Sequence, residues 1–153
     1  MRTAERFRYL VLAVQREGNR QLNADLRPLG ITPAQSEALR ILGDHAPMTL
    51  SDVGRMLVCE SGTNPSRIID RLVDAGLVDR VVDPVDRRRA TLTLTAEGRS
   101  VERAVFEIEQ RMYTGIDAAF AGVDTLGLLA QLESLVQGHP SGDALAARIT
   151  AQR

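Results

Sequence analysis

A predicted helix that leads through a glycine into a β-hairpin constrains the fold of this chain more than any other feature. Residues 64–75 repeat apolar side chains at a spacing of four, which is typical of a helix with one buried stripe. Gly76 follows at the position where glycine commonly ends a helix. Residues 77–82 and 90–95 then predict two strands, because polar and apolar residues alternate in the second of them.

The turn of that hairpin concentrates positive charge. Arg87, Arg88 and Arg89 are adjacent there, close to Asp86. Three neighbouring guanidinium groups repel one another, which argues against a packed structural role for all of them. A helix followed by a hairpin with a cationic tip predicts a winged helix-turn-helix, whose usual partner is double-stranded DNA. The alternative is a charged turn exposed to solvent.

Composition limits the classes of protein to which this chain could belong. Its 153 residues predict a single domain, and the 3% aromatic content without tryptophan predicts an aliphatic core. Since the net charge is −1, any DNA contact has to come from the local placement of arginine. The apolar runs are too short to span a bilayer, and we expect no signal peptide. The single cysteine excludes an intrachain disulfide and fits a reducing cytoplasm. Because the apolar runs are short, no membrane partner is expected.

The rest of the sequence predicts a mainly α (α+β) fold in which helices flank the winged unit. Helices are expected at 3–27, from 33 to about 44, in a short segment from 50, from 95 to about 121, and from 124 onward. We therefore expect a DNA-binding lobe at 31–95 and a helical dimerisation region formed by 1–30 and 96–138. Residues 139–153 are expected to be a C-terminal tail, in which 144–149 could form a helical turn.

The first helix and the last two carry more apolar surface than a small winged helix can bury alone. A homodimer would cover that surface, and most oligomers are twofold dimers. The alternative is a monomer in which these helices pack on one another.

Five short segments resemble the MarR family of bacterial regulators, and they occur in the order and at the spacing of that family. They are Gly30–Gln35, Ser66–Leu72, Gly76–Arg80, Asp86–Arg88 and Leu92–Gly98. The resemblance covers most of residues 5–137. It implies a dimer that binds a pseudo-palindromic operator, usually as a repressor that a small ligand or oxidation releases. It also implies long N- and C-terminal helices that form the dimerisation region.

The candidate recognition helix begins near Ser61 or Asn64. First-turn side chains of such a helix reach base edges in the major groove, and the candidates are Ser61, Thr63, Asn64, Ser66, Arg67 and Arg71. If Ser61 caps the helix, Pro65 removes an early intrahelical hydrogen bond; if Asn64 caps it, Pro65 is an unstrained first residue and the helix is shorter. Arg67 and Arg71 could instead pair with acidic residues on the surface.

The family resemblance assigns a role to the tip of the hairpin, the wing. It implies that Arg88 enters the minor groove, where negative potential attracts arginine. Asp86 is expected to brace an arginine across the turn. Arg87, Arg88, Arg89 and Asp86 are therefore all candidate DNA-contacting residues.

Regulation by a small molecule is expected to depend on a pocket between the dimerisation helices and the DNA-binding lobe. The residues that could line it are Phe7, Leu10, Val14, Met48, Met112 and Phe120. Since few polar groups occur among them, an apolar or aromatic effector is expected. The sequence contains no recognisable catalytic motif, so we expect no enzyme and no cofactor. The two histidines are far apart, and no metal site is expected.

Two alternatives remain at this stage. Cys59 lies just before the candidate recognition helix. Oxidation of Cys59 would disturb that helix directly, and the protein would then be a redox-responsive regulator. A neighbouring carboxylate at Glu60 would make that thiol less reactive, which favours a structural cysteine. Alternatively, the winged helix could be an interaction module that binds protein rather than DNA.

Overall fold

Seven helices and three short strands make up the part of the chain that the structure, a computed structural model, describes: residues 1–58, 64–82 and 90–151. The helices are α1 (Thr3–Leu26), α2 (Pro33–His45), α3 (Leu50–Met56), α4 (Pro65–Asp74), α5 (Ala96–Ala119), α6 (Thr125–Val136) and α7 (Pro140–Ala151), with one 3₁₀ turn at Arg27–Leu29. The strands are β1 (Met48–Thr49), β2 (Val78–Val82) and β3 (Ala90–Leu94). The predicted mainly helical fold with a small hairpin is confirmed.

The three strands form one antiparallel sheet in the order β1-β3-β2. The two hairpin strands predicted at 77–82 and 90–95 are present, and they pair Val78 with Leu94 and Val82 with Ala90. Strand β1 adds the pair Met48 and Leu92 at the other edge of β3. A two-residue strand is too short to show a periodic pattern, so this edge was not predicted.

The core lies inside the winged unit and is aliphatic, as expected from the composition. It is formed by fully or nearly fully buried side chains of α2, α3, α4, β3 and α5, including Leu39, Leu42, Val53, Ile69, Leu72, Leu92 and Val105. The predicted stripe on α4 is present, since Ile68, Ile69 and Leu72 are buried and Val73 packs against the same cluster. The lobe therefore holds α4 by one face and leaves the other face exposed.

Two helices of the lobe begin with reciprocal capping boxes. The Thr32 hydroxyl accepts a hydrogen bond from the Gln35 N–H, and the Gln35 side chain accepts one from the Thr32 N–H. Thr49 and Asp52 make the same exchange at α3, which confirms the predicted start of that helix. The Thr49 hydroxyl also donates to Asp52 at 2.6 Å, and this bond holds the pKa of the Asp52 carboxyl below its usual range.

The end of α4 is joined directly to the start of α5. Gly76 has a φ of +70°, which lets the chain leave α4 and enter β2. The Thr95 hydroxyl donates to the Gly76 carbonyl at 2.7 Å and accepts from the Gly98 N–H at 2.9 Å. A Cβ added at Gly98 would lie 1.9 Å from the Leu77 carbonyl oxygen, so only glycine fits this approach.

The C-terminal residues are more ordered than the expected tail. Residues 140–151 form a complete helix, α7, which folds back on α3. Its buried contact is made by alanine, since Ala144 is buried and Ala147 packs against the core cluster. Alanine contributes little to a hydrophobic pattern, which explains why the sequence indicated only a single turn here.

Apolar side chains cover much of the surface of α1, α5 and α6 in the single chain. Helix α1 has 24 residues and buries only Leu26. Val14 and Leu126 are 71% and 81% exposed, and the same surface contains Leu10, Val11, Ile116, Leu129 and Leu135. Among the described residues, no helix is long and apolar enough to cross a membrane. Exposed apolar side chains therefore recur on all three helices.

Candidate nucleic-acid interface

The structure decides which residue caps the N-terminus of α4, which the sequence left open between Ser61 and Asn64. Asn64 is the cap, its side-chain oxygen accepts a hydrogen bond from the Ser66 N–H at 3.0 Å, and Pro65 is the first helical residue. The missing N–H of Pro65 therefore leaves no helical bond unmade. The helix is the shorter of the two alternatives, and its first exposed turn contains Asn64, Ser66 and Arg67.

The outer face of α4 carries charged side chains opposite the buried stripe. Arg67, Asp70, Arg71 and Asp74 are all exposed. Asp70 pairs with Arg80 of β2 at 2.7 Å, which fixes the outer face of α4 against the hairpin. Within residues 1–58, 64–82 and 90–151, neither Arg67 nor Arg71 forms an ion pair. Both guanidinium groups are thus available to a ligand outside the chain.

The remaining predicted DNA contacts lie outside the described residues. These are Ser61 and Thr63 before α4, and Asp86, Arg87, Arg88 and Arg89 in the wing; Cys59 also lies there. The hairpin that carries the wing is regular up to the pair Val82 and Ala90. The roles of these residues remain predictions.

An arginine of α2 connects the lobe to the long helix α5. Arg40 contacts the carboxylates of Glu102 and Glu109 on α5 and lies 3.5 Å from Asp44, while its guanidinium carbon lies 4.9 Å from the centre of the Phe106 ring. The side chains of Arg40, Glu102 and Glu109 are all about 85% buried. Sequence reasoning missed this cluster because Arg40 is more than sixty residues from its partners Glu102 and Glu109, and no local motif joins them.

The cluster contains more negative than positive charge. Burial raises the pKa of the Glu109 carboxyl above its usual range, although the neighbouring Arg40 acts in the opposite direction. Burial and the nearby Glu109 carboxylate also raise the pKa of Tyr113. At this junction, burial therefore opposes the ionisation of both Glu109 and Tyr113.

A second buried carboxylate connects α2 to the segment before α4. Glu37 is 8% exposed, and its Oε1 atom accepts a hydrogen bond from the Val58 N–H at 2.8 Å. The same oxygen accepts one from Arg148 of α7 at 2.7 Å. Both contacts join distant parts of the sequence, so no local pattern predicts them.

The six residues of the predicted effector pocket do not lie together in one described cavity. Phe7, Leu10, Val14 and Phe120 are on exposed helix surface, Met112 is half-buried, and Met48 packs against the core from β1. A cavity of about 510 Å³ lies elsewhere, between α3 and α7, and Gly54, Leu57, Val58, Ala144 and Ala147 are among its lining residues. The predicted pocket therefore remains a proposal that depends on a dimer. In the described ranges, no group of three His, Cys, Asp or Glu side chains is arranged to hold a metal.

Comparisons with known proteins agree with this architecture. A sequence model of the MarR family matches residues 29–89. The organic hydroperoxide resistance transcriptional regulator of Bacillus subtilis (strain 168) is 30% identical over 100 residues, which are 65% of this chain and 67% of that protein.

Solved structures show the same fold. The S. aureus MepR–DNA complex superposes with a TM-score of 0.77 at 23% identity, covering 85% of this chain and 96% of that one. A mutant of E. coli MarR complexed with operator DNA gives 0.71 at 26% identity, covering 84% and 91%. The helix order, the winged hairpin and these matches agree with one another, and the chain belongs to the MarR family of transcriptional regulators.

Proposed function

We propose that this protein is a homodimeric, sequence-specific DNA-binding regulator that represses transcription from a pseudo-palindromic operator. The observation that carries the proposal is the exposed N-terminal turn of α4, where Arg67 has no ion-pair partner among the described residues. A helix presented in this way places first-turn side chains at base edges in the major groove. The solved DNA complexes of MepR and MarR have the same fold, which supports this use of α4.

The wing completes the proposed interface. Arg88 is proposed to enter the minor groove and Asp86 to brace a neighbouring arginine, with Arg87 and Arg89 contacting phosphates. Arginines only slightly outnumber acidic residues across 55–90, so a single lobe should bind weakly. Two lobes on one operator would supply the affinity.

The apolar surface of α1, α5 and α6 supports the dimer. Each of these helices exposes leucine, isoleucine or valine in the isolated chain, and a twofold interface would bury that surface. Two α4 helices would then reach successive major grooves about one turn of DNA apart. Sedimentation equilibrium should give twice the chain mass, and Leu10→Glu should shift it toward the monomer. Val81→Glu adds the same charge at an exposed apolar residue of β2 and should leave the mass unchanged.

An apolar or aromatic effector is proposed to release the DNA by binding between the dimerisation helices and the lobe. The protein would act in the cytoplasm, where its operator is, and would catalyse no reaction. In a thermal-shift panel, phenolic acids or lipophilic drugs should raise the melting temperature. No response across the panel would count against an effector of this class.

Fluorescence anisotropy with the DNA upstream of the protein's own gene tests the DNA-binding function. Wild type, Arg67→Ala and Arg88→Ala should be compared at two salt concentrations, with Arg103→Ala as a control. Arg103 is an exposed arginine of α5 that makes no ion pair among the described residues, so its loss changes net charge equally. We expect salt-sensitive, sequence-selective binding that both interface variants weaken and the control retains.

Two results of the anisotropy experiment would contradict the proposal. If wild type binds neither this DNA nor any fragment recovered from a genome-wide selection, the winged helix has another partner. If Arg103→Ala weakens binding as much as Arg67→Ala, net charge rather than placement governs the affinity.

A further inference from the structure

The C-terminal helix is in contact with the segment that leads into α4. Helix α7 packs on α3 through Ala144 and Ala147, whose small side chains allow the two helices to approach closely. Gly138 has a φ of +74°, which reverses the chain after α6. A Cβ at Gly142 would lie 2.0 Å from the Val136 carbonyl oxygen, so this glycine also permits the fold-back. The placement of α7 is therefore specified by the sequence.

One carboxylate oxygen connects this helix to the backbone before α4. Glu37 Oε1 accepts hydrogen bonds from Arg148 of α7 and from the Val58 N–H, at 2.7 and 2.8 Å. Val58 is the second residue after α3 ends at Met56, and Asn64, the cap of α4, follows six positions later. The Glu37 side chain is 91% buried, since only 9% of its surface is exposed. Charge-assisted hydrogen bonds in such a site are stronger than those on the surface.

The Val58 contact restrains the linker, here Leu57 and Val58 directly after α3, and α3 itself packs against the start of α4. The buried stripe holds the body of α4, but the first turn depends on how the chain enters from α3. When Leu57 and Val58 are already held in place, less conformational entropy is lost as α4 binds a ligand. Weakening the support of Glu37 should therefore reduce DNA affinity without removing any DNA contact.

We propose that Arg148 and Glu37 are positioning residues, through which the docked C-terminal helix holds the Val58 linker and orders the first turn of α4 for DNA. This inference rests on the proposed DNA-binding function. In this proposal α7 contributes to DNA recognition indirectly, without a DNA contact of its own. Removing Arg148 would take a cationic partner from a buried carboxylate, and the Val58 hydrogen bond would weaken as Glu37 moves toward solvent.

Four variants separate positioning from simple loss of charge. Arg148→Ala removes the ion pair, and Arg148→Lys restores a cation at the same place. Glu37→Gln keeps an oxygen that can accept from the Val58 N–H but loses the charge. Arg103→Ala again removes one positive charge from an exposed residue outside the network.

The first measurement is hydrogen–deuterium exchange of the free protein. Arg148→Ala should speed the exchange of the Val58 amide and leave the amides of β2 unchanged, while Arg148→Lys should restore protection. This measurement needs no DNA, so it tests the connection even if the proposed function fails. Unchanged exchange at Val58 in Arg148→Ala would overturn the inference.

The second measurement is operator affinity with its salt dependence. Arg148→Ala should weaken operator binding about two- to twelvefold, which corresponds to the roughly 0.5–1.5 kcal/mol net of one intramolecular hydrogen bond. The dependence on salt should stay as in wild type, because no phosphate contact is lost. Affinity for unrelated DNA should also stay unchanged, and Glu37→Gln should show a smaller loss than Arg148→Ala.

Two results would overturn the proposal at this step. One is wild-type operator affinity in Arg148→Ala; the other is a reduced salt dependence, which would mean that Arg148 contacts phosphate itself. If Arg148→Ala does not fold, Glu37→Gln provides the same comparison at the other partner. If wild type binds no DNA, the proposed function fails, whereas the exchange result still decides whether Arg148 holds the linker.

Discussion

Arg40 Nε of α2 lies 3.2 Å from Glu109 Oε2 of α5, and the guanidinium bridges the lobe to the long helix. The same arginine contacts Glu102 and lies over the Phe106 ring. Its positive charge offsets part of the negative charge of Glu102, Glu109 and Asp44. Two predictions follow from this cluster.

Arg40→Met should destabilise the protein strongly although it keeps much of the side-chain volume. Glu102, Glu109 and Asp44 would then lose the arginine that they share, and losing one partner of a largely buried pair costs about 3 kcal/mol. Urea denaturation should show a lower midpoint with an unchanged slope. Arg20→Met is the control, since Arg20 pairs with Glu17 on the exposed surface of α1, where the solvent screens the pair and its loss should cost little stability. Equal losses in the two variants would contradict the importance of the cluster.

Glu109 makes stability depend on pH in a defined direction. Because burial raises its pKa in the folded state, the folded protein binds this proton more tightly than the unfolded chain does. The protonated form therefore stabilises the fold below the unfolded pKa of 4.5, and this contribution is lost as pH rises through the folded pKa. Glu109→Gln mimics the protonated form, so wild type should lose stability relative to the variant as pH rises from 4 to 7. Comparing the two unfolding free energies across that range cancels the other titrating groups. The opposite slope would show that Arg40 outweighs burial.

Gly98→Ala should damage the joint between α4 and α5. The added methyl would collide with the Leu77 carbonyl, which is backbone and cannot rotate away, so we expect a loss of about 2–3 kcal/mol. Gly115→Ala on the same helix is the matched control because nothing lies within 4 Å of the added Cβ. That variant should be neutral or gain roughly 0.5–1 kcal/mol in helix stability. Thermal unfolding of both variants checks the prediction, and a harmless Gly98→Ala would refute the close contact.

Asn64 should serve both the fold and the DNA. Asn64→Ala removes the cap on α4 and should cost about 1 kcal/mol of stability as well as DNA affinity. Asn64→Asp keeps an oxygen that can accept from the Ser66 N–H, so stability should be retained while the new charge weakens binding to phosphate-rich DNA. Chemical denaturation and anisotropy on the same samples separate the two effects. If Asn64→Asp binds DNA as tightly as wild type, Asn64 acts only as a cap.

Local chemistry predicted the winged unit well. Thr49 with Asp52, Gly76 and Thr95 each act within a few residues of sequence, so their caps and turns follow from residue type. The start of α4 remained open because Pro65 fits two capping schemes, and only the observed bond from the Ser66 N–H to Asn64 separates them.

The contacts that join distant segments could not be predicted in the same way. Arg40 with Glu109, and Arg148 with Glu37, are brought together by packing of α2 against α5 and by the fold-back of α7. Neither pair has a spacing that a single helix or strand would produce. Helix α7 itself was underestimated because alanines form its buried side.

The Thr95 hydroxyl, which bonds both the Gly76 carbonyl and the Gly98 N–H, has a consequence for the geometry of a whole dimer. The C-terminal end of α4 is fixed to the start of α5, a helix of the proposed dimer interface. In the proposed dimer, the separation of the two α4 helices, and with it the operator spacing, would be set at this joint together with the tilt of α5. Sequence changes far along α5 could thus alter which operator spacing the protein accepts while every base-contacting residue stays the same.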